Sequence, residues 1–432
     1  MGISGRTLLI LLLGYTCYAQ EIWPSVANTT CGNVTLNSFQ TGTAVLNPVL
    51  GRGQAALLLL LGFGGFSVLL AMLYMFIRRH VFHDADNLNT TFDAGGRVSV
   101  SLTAVTVASQ LLWPGDLLQS ATVTIKNGVA GSFWYSTAAV INMILFPVLS
   151  VQFKTRAPGA KTFLQVIHAR FGTGTHVVFC CFALLLNLVI IVCLVAASTA
   201  LLQSLVKDAS AEFCVVVMAT LFGSYSFVGG LGSTSTSPTS TPLSSSPCLQ
   251  PSSCRCTMHP TPRWKGGFEG MYQRVKCLLG PEGNEDRSFL TFWSEGALIW
   301  GVQGFFATAS ITFCDQASWQ SRIAAKPTQG VLGFFAATYI WFAIPSTIGT
   351  SVGFAYLDHT AGGANQSLST EAIDSGLVTA FMAQEELGVT GSYMILTMLI
   401  MALMSTGSGE SWLCHRSSCT TCIRRTLSRS GR

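Results

Sequence analysis

The sequence predicts an all-α protein that crosses the membrane many times, and two observations carry this prediction. Half of the 432 residues are hydrophobic and only 10% are charged, whereas a soluble domain carries about 25% charged residues. Eight spans contain no Asp, Glu, Lys or Arg, and each can cross a hydrocarbon core of about 30 Å as a helix. They cover residues 55–77, 98–115, 131–153, 177–206, 213–231, 296–314, 328–357 and 387–409.

A soluble helical protein of this size would show a polar stripe along its helices and charge-rich loops between them. Neither pattern is present. The net charge of +5 comes from short loops and the C-terminal residues, so it predicts orientation in the membrane and not binding to nucleic acid.

The N-terminal residues 1–19 have the pattern of a cleavable signal peptide, because a single basic residue precedes an apolar run too short to span. Residues 20–54 are then expected to be extracellular. The glycosylation sequons at Asn28 and Asn33 fit that side. The first membrane helix is predicted over 55–77, with the N-terminus outside.

Lys and Arg in short loops predict which side of the membrane each loop faces. Two arginines follow the first span and four basic residues lie within 154–170, so both loops are expected in the cytoplasm. The loop 358–386 carries five carboxylates, no Lys or Arg, and a sequon at Asn365, so it is expected outside. If the loop 358–386 is outside, the span 328–357 runs from inside to outside. The span before it, 296–314, then has to begin outside. The span before it ends inside, so one crossing is missing within 232–295.

The interval 232–295 contains no apolar span, and Ser, Thr and Pro make up 21 of the 31 residues from 232 to 262. Such a stretch cannot bury apolar surface and is not expected at membrane depth. One interpretation is a flexible loop, with the charge rule failing at one end. The other, which we favour, is an aberrant low-complexity insert that replaces a membrane helix. On that interpretation the 432-residue chain as written is not expected to transport.

Residues 411–432 form a second aberrant segment, a basic tail rich in cysteine that follows an apolar helix abruptly. His415, Cys419 and Cys422 are ligand types that zinc accepts. We nevertheless expect no metal site, and we expect the cysteines inside the spans to be small packing residues.

Transport chemistry requires polar groups or irregular backbone inside a span, since both are unfavourable in hydrocarbon unless they line a cavity. In the span 98–115, Pro114 and the following glycine interrupt the helix beside Gln110 and Trp113. Interrupted helices hold ions and substrate in secondary transporters. A simply kinked or re-entrant helix is the alternative.

Two further spans carry polar clusters. Ser405 and Thr406 offer hydroxyl oxygens next to glycine in the last span, although such hydroxyls also bond their own helix. In the span 296–314, polar and aromatic residues suit a small polar solute, and helix packing through small and polar residues is the alternative. The candidates in that span are Trp300, Gln303, Phe305 and Thr308.

Several longer motifs together resemble one family. They lie in 107–135, 157–173, 228–231, 315–327 and 341–345, and include Gly131-Ser132-Phe133-Trp134-Tyr135 and Asp315-Gln316-Ala317-Ser318-Trp319-Gln320. They resemble the urea active transporter (proton-coupled urea symporter) branch of the sodium:solute symporter family. The likeness covers most of residues 55–410. It lapses after 231, where the family continues with another helix, and beyond 410, where it continues with several more.

The resemblance implies a LeuT-like core of two inverted five-helix repeats. Residues 98–231 would supply four of the five helices of the first repeat, and 296–410 would form a truncated second repeat. Ser405 and Thr406 would then bind the coupling cation together with backbone of the first interrupted helix, at Ala108 and Leu111. Gln110 and Trp113 would meet the substrate, with Trp300, Gln303, Phe305 and Thr308 as further substrate contacts. Asp116 occupies a position that is uncharged in several members and is a possible proton carrier.

The expected function is cation-coupled uptake of urea across the plasma membrane by alternating access, with a proton or sodium ion as the coupling ion. Coupling matters because urea is neutral, so the membrane potential acts only through the cation, at about 2.3 kcal/mol per charge per 100 mV. No organic cofactor, enzymatic activity or obligate protein partner is expected. The alternatives are a symporter of a polyamine, a sugar or proline, a non-transporting membrane sensor, and a non-functional truncated product.

Overall fold

The computed structural model describes residues 42–80, 100–160, 162–221, 223, 267–324, 327–361, 367–407 and 410. All of these belong to one compact unit, Asn37–Arg432. Several predictions lie outside the described residues, namely the signal peptide, the sequons at Asn28, Asn33 and Asn365, the low-complexity stretch 232–262, and the tail 411–432.

The described part of the chain is built from helices joined by short loops and isolated bridges. The first helix, α1, combines Arg52–Ala56, a π-helical stretch Leu57–Gly64, and Gly65–His80. It is followed by α2 (Val100–Leu111), α3 (Pro114–Asn127), α4 (Val129–Arg156), α5 (Phe163–Leu205), α6 (Ala211–Leu221), α7 (Gly267–Cys277), α8 (Glu295–Cys314), α9 (Gln316–Ala324), α10 (Pro327–Thr360), α11 (Thr370–Asp374), α12 (Val378–Leu387) and α13 (Val389–Gly407).

Six helices in the described ranges are long and apolar enough to cross a membrane. They correspond to six of the eight predicted spans and run over Arg52–Leu69, Val129–Phe153, Phe163–Leu205, Glu295–Cys314, Gly330–Thr360 and Val389–Gly407. The predicted span 98–115 is interrupted, so α2 has only 12 residues. The span 213–231 is represented by α6, a shorter apolar helix, and its remainder falls mostly outside the described residues. The chain is a multi-pass membrane protein.

The outer surface is apolar, as a lipid-facing surface must be. Along α5, Phe182, Leu188 and Val192 are each more than half exposed. A soluble protein would not leave so continuous an apolar surface in contact with water. The buried positions of the same helix include polar side chains such as Asn187 and Ser198, so α5 turns its polar groups inward.

Helix α10 is the centre of the bundle and packs against α2, α3 and α4. Two glycines allow this close approach. A Cβ at Gly349 would lie 2.8 Å from the backbone oxygen of Ser120, and one at Gly353 would lie 2.7 Å from Thr124 Cβ. Small residues at crossings let membrane helices pack backbone to backbone, so these positions fix how closely α10 approaches α3.

Several loops and helix ends meet at one face of the bundle, which we call the cap face and define as residues 42–50, 206–210, 267–294 and 367–377. Leu50 pairs with Val206, and Ala44 pairs with Leu368. The guanidinium of Arg274 in α7 donates two hydrogen bonds to Asp358 near the end of α10. These contacts bring together segments that the charge pattern predicts to lie on the extracellular side.

The order of crossings at the cap face agrees with the charge pattern. The helix α5 ends at this face, and α6 leaves it alongside α1, with Arg52 over the ring of Phe213 and Leu221 against Gly64. The helix α8 then begins at the same face, where Ser294 caps it. The connection between α6 and α7 lies outside the described residues, and it is there that the charge pattern requires an additional crossing.

Cys277 at the end of α7 is disulfide-bonded, a feature that the sequence did not lead us to expect. Disulfides persist in oxidising compartments. An oxidising, extracellular side is the side that the charge pattern predicts for this face. Residues 267–295, which fall within the interval predicted as an aberrant insert and loop, are packed here through the buried Met271 and Val275.

Candidate functional site

The candidate site is built around the interruption between α2 and α3. The backbone of Trp113 is extended, with φ −82° and ψ 156°, and Pro114 is the first residue of α3. Proline suits this first position because its missing N–H has no partner there in any helix. The interruption predicted from Pro114 and Gly115 is thus present, and it falls at Leu112 and Trp113.

The last turn of α2 presents carbonyl oxygens to the interruption, as every helix end does. The Ala108 oxygen accepts a hydrogen bond from the Leu112 amide at 3.0 Å. The Leu111 oxygen accepts one from Trp341 Nε1 of α10 at 2.9 Å. A carbonyl oxygen has a second lone pair, so both predicted cation-binding carbonyls keep acceptor capacity.

Asp116 lies in the first turn of α3 and accepts two hydrogen bonds. Its Oδ2 accepts the Trp113 amide at 2.9 Å, and its Oδ1 accepts the hydroxyl of Tyr135 from α4 at 2.8 Å. Both bonds and the positive end of α3 stabilise the ionised carboxylate. Asp116 is therefore held in place as an acceptor directly beside Trp113.

Gln110 reaches from α2 to α9. Its Oε1 accepts the hydroxyl of Ser321 at 2.6 Å. This bond links the interrupted first helix to the short helix that follows α8, so the two halves of the described bundle meet at a polar side chain. Gln110 is half-buried and keeps its amide donors.

The predicted substrate residues of α8 do not share one face. Trp300 and Gln303 lie on the exposed face of the helix, whereas Phe305 and Thr308 are half-buried. The amide of Asn142 in α4 donates to the Phe305 oxygen at 2.9 Å and to Thr308 Oγ1 at 2.8 Å. The structure thus brings Phe305 and Thr308 against α4 and leaves the other two away from this contact.

Ser405 and Thr406 lie in the last turn of α13, and both are buried. The hydroxyl of Thr406 is fully enclosed and makes no hydrogen bond within the described residues. A buried hydroxyl without a partner is destabilising by about 1–3 kcal/mol. Such a group is suited to an ion or solute that supplies the missing contact.

Four buried polar side chains beyond the predicted set lie inside the bundle: Asn187, Asp315, Arg322 and Glu410. Asn187 Nδ2 donates to Glu410 Oε2 at 2.6 Å, and Arg322 Nε donates to Ser150 Oγ at 2.8 Å. The sequence offered one signal for them, since an ionisable or amide side chain within or directly beside an apolar span is a candidate functional group.

Comparison with known proteins identifies relatives for most of the chain. The urea-proton symporter DUR3 of Oryza sativa subsp. japonica is 29% identical over 428 residues, which cover 94% of this chain and 57% of the relative. A probable urea active transporter 1 of Schizosaccharomyces pombe is 27% identical over 80% of the chain and 53% of its own length. The urea active transporter of Saccharomyces cerevisiae is 26% identical over 73% of the chain and 44% of its own length. No protein-family model matches the chain.

Among solved structures, a substrate-bound, outward-open Na⁺-coupled sialic acid symporter has the same fold. Its TM-score is 0.68 at 12% identity, and the match covers 86% of this chain and 74% of that one. The predicted all-α symporter fold is confirmed by this likeness, and the resemblance to urea active transporters is confirmed by the curated relatives. All of these proteins are named as transporters and not as enzymes.

The chain spans about half the length of the curated relatives that it matches.

Proposed function

We propose that this chain belongs to a cation-coupled urea symporter of the plasma membrane that works by alternating access, with the cap face outside. The observation that carries the proposal is the interruption between α2 and α3, which places helix carbonyls, Gln110 and Asp116 together inside a membrane bundle. Relatives named as urea transporters support urea as the substrate.

The coupling cation is proposed to bind between the last turn of α2 and the last turn of α13. Ala108 and Leu111 would contribute carbonyl oxygens, and Ser405 and Thr406 would contribute hydroxyl oxygens. These oxygens suit a small cation such as sodium better than nitrogen or sulfur ligands do. The unpartnered Thr406 hydroxyl supports this assignment, because a bound ion would satisfy it.

Urea is proposed to bind beside the interruption, with Gln110 as the principal contact. Urea carries one carbonyl acceptor and four N–H donors, and the Gln110 side chain offers both a complementary donor and a complementary acceptor. Trp113 would supply an apolar wall, with Phe305 and Thr308 on the α8 side. Trp300 and Gln303 remain predicted contacts that the same assay can test.

Asp116 is proposed to assist coupling from the other side of the interruption. It accepts hydrogen bonds from Trp113 and Tyr135, so a change in its charge would be transmitted to the backbone of the interruption. A proton carried at this position would provide the coupling if no sodium dependence is found.

The proposal is tested by uptake of radiolabelled urea into cells that lack their own urea transport. Two proteins are compared, because the chain spans 57% of the rice symporter. One is the 432-residue chain, and the other is a chimera with residues 232–262 exchanged for the aligned rice segment and with rice sequence after Glu410. With one cation per urea, a potential of 100 mV supports accumulation of up to about fifty-fold over equilibrium.

We expect the chimera to accumulate urea above equilibrium and a protonophore or sodium removal to abolish the excess. We expect no accumulation by the 432-residue chain, because its charge pattern requires a membrane crossing that is missing within 232–295. Equilibration without accumulation by the chimera would contradict coupled transport. In the chimera, Gln110→Ala is expected to raise the apparent KM for urea at least tenfold, and Gln203→Ala on the exposed surface of α5 provides the matched amide control.

A further inference from the structure

Two buried carboxylates, Asp315 and Glu410, lie outside the predicted site. Asp315 is the residue between α8 and α9, and Glu410 follows α13. Each is at most 5% exposed, and the two interact electrostatically. Two neighbouring carboxylates in a buried site cannot both be ionised unless a positive charge compensates them.

The third member of the group is Asn187 of α5, which is 7% exposed. Its Nδ2 donates to Glu410 Oε2 at 2.6 Å and to the Glu410 backbone oxygen at 3.4 Å. The Oδ1 of the same amide has no hydrogen-bond partner among the described residues. The amide thus contacts Glu410 as a hydrogen-bond donor and keeps its own acceptor unused.

We infer that Asp315 and Glu410, together with Asn187, hold one exchangeable proton and form a proton-binding site separate from the hydroxyl pair of α13. The role of this site in coupling rests on the proposed function. Binding forms one O–H bond on the carboxyl pair with a proton taken from water, and it changes the charge of the pair from −2 to −1. Release returns that proton to water.

The hydrogen bonds around the pair assign the proton to Glu410. Asp315 accepts backbone N–H groups at the start of α9, including that of Ser318 at 3.1 Å. Donors of this kind and the positive end of the helix favour the ionised form. Among the described residues, Asn187 is the side chain that is seen to donate to Glu410. Two carboxyl groups in unequal surroundings divide the roles, one as fixed anion and one as proton carrier.

Among the described residues, two titratable neighbours show other roles than compensating the charge of the pair. Cys314 interacts with Asp315, and its thiol is neutral at pH 7. Arg322, the basic residue of α9, directs its Nε to Ser150 of α4. A proton shared by the pair is therefore the simplest compensation in this apolar setting.

The position of the pair gives its protonation a mechanical consequence. Asn187 belongs to α5, Asp315 joins α8 to α9, and Glu410 follows α13. Loss of the proton would leave two interacting negative charges in a buried site and favour separation of these helices. By linkage, any movement that separates them would favour loss of the proton.

The test uses dicyclohexylcarbodiimide, which reacts with protonated carboxyl groups in apolar surroundings. The purified 432-residue chain is labelled between pH 5 and pH 9, and modified residues are identified by mass spectrometry. We expect Glu410 to be labelled at pH 7, whereas the exposed Glu371 is not. Absence of Glu410 labelling at pH 7 in protein that elutes as a folded species would overturn the inference.

Two substitutions are expected to move the labelling midpoint in opposite directions. Asp315→Asn removes a negative neighbour and should lower the midpoint by about one pH unit or more. Asn187→Leu removes a donor to the ionised form and should raise it. A general loosening of the structure would not produce opposite shifts, so equal or absent shifts would contradict the pair. Protection of Glu410 by sodium at constant pH would show a metal cation in place of the proton and would also overturn the inference.

Labelling requires no urea, so it separates this inference from the proposed function. A chain that is labelled as expected while the chimera fails to accumulate urea would refute only the urea symport. A chimera that accumulates urea while Glu410 labelling is independent of pH would refute only the proton site. In the chimera, Glu410→Gln is expected to reduce proton-driven accumulation to equilibrium.

Discussion

The bundle contains two interrupted helices, and an aspartate stabilises each interruption from a different side of it. In the first, the 12-residue α2 precedes the 14-residue α3, and in the second the 20-residue α8 precedes the 9-residue α9. Each interruption contains an extended residue, Trp113 in one and Asp315 in the other. An aspartate then caps the helix that follows.

The two aspartates use the two complementary halves of a capping box. Asp116, the third residue of α3, accepts the amide of Trp113 before the helix, whereas Asp315, before α9, accepts the amide of Ser318 inside it. Their second partners differ in charge. Asp116 accepts the neutral hydroxyl of Tyr135, whereas Asp315 acts on the carboxyl group of Glu410 through its negative charge. At the first interruption two hydrogen bonds stabilise the Asp116 carboxylate, whereas at the second the inferred proton on Glu410 reduces the negative charge beside Asp315.

The largest effect is expected where α10 supports the first interruption. Gly349→Leu would place a Cβ 2.8 Å from both the Ser120 oxygen and Ser132 Oγ. Relief requires movement of α10 away from α3, and overpacking of this kind destabilises by about 1–3 kcal/mol or more. We expect a clear fall in the midpoint of thermal unfolding in detergent. Gly65→Leu is the matched control, because a Cβ there meets nothing within 4 Å, and an equal fall in the control would refute the explanation.

The next effect concerns the neutral partner of Asp116. Tyr135→Phe removes a hydrogen bond to a carboxylate, and such a bond contributes about 1.5–3 kcal/mol. We expect reduced stability and an altered pH dependence of uptake in the chimera, since Asp116 loses one of its two donors. Tyr339→Phe is the control, because Tyr339 is 78% exposed. If both variants behave alike, the first interruption does not depend on this bond.

The sequence predicted the first interruption and missed the second for a physical reason. Proline and glycine mark the first directly, whereas the second has only Asp315 at the end of an apolar span, which reads equally well as the edge of the membrane. The polar residues of α8 illustrate a related difficulty. Gln303 and Thr308 are five residues apart, which places them about 140° apart around a helix. Nothing in the composition indicated that Thr308, and not Gln303, would face α4.

The charge pattern was more informative about topology than about the site. It predicted that α8 begins on the side where α5 ends, and the cap face brings these ends together. The orientation of a membrane helix depends on the summed charge of whole loops, so an error of a few residues in a helix boundary does not change the prediction. The pairing of Asn187 with Glu410 joins positions 223 residues apart, and no local pattern in the sequence encodes such a contact.

A smaller effect is expected from the hydrogen bond between α10 and α2. Trp341→Phe removes the Nε1 donor to the Leu111 oxygen, a change of about 1 kcal/mol. The freed carbonyl would be a better cation ligand, so we expect the apparent cation affinity of uptake by the chimera to rise. Trp293→Phe is the control, because Trp293 is 70% exposed and lies outside the proposed site. An unchanged affinity in Trp341→Phe would remove Leu111 from the proposed cation site.

The smallest effect is expected at the cap-face end of α3, where Lys126 pairs with Asp374. Their side chains are 41% and 52% exposed, and pairs of this kind contribute about 0–1 kcal/mol. Arg274 is the contrasting case, because its partner Asp358 has a side chain only 3% exposed, and hydrogen bonding to Asp358 raises the pKa of Arg274 above its ordinary value. Arg274→Met leaves that buried carboxylate without its cation, whereas Lys126→Met leaves Asp374 in water. We therefore expect Arg274→Met to lower the unfolding midpoint clearly and Lys126→Met to change it little, with 1 M salt removing the smaller difference. A larger loss in Lys126→Met would mean that α11, and not the packing of α10, holds the first interruption in place.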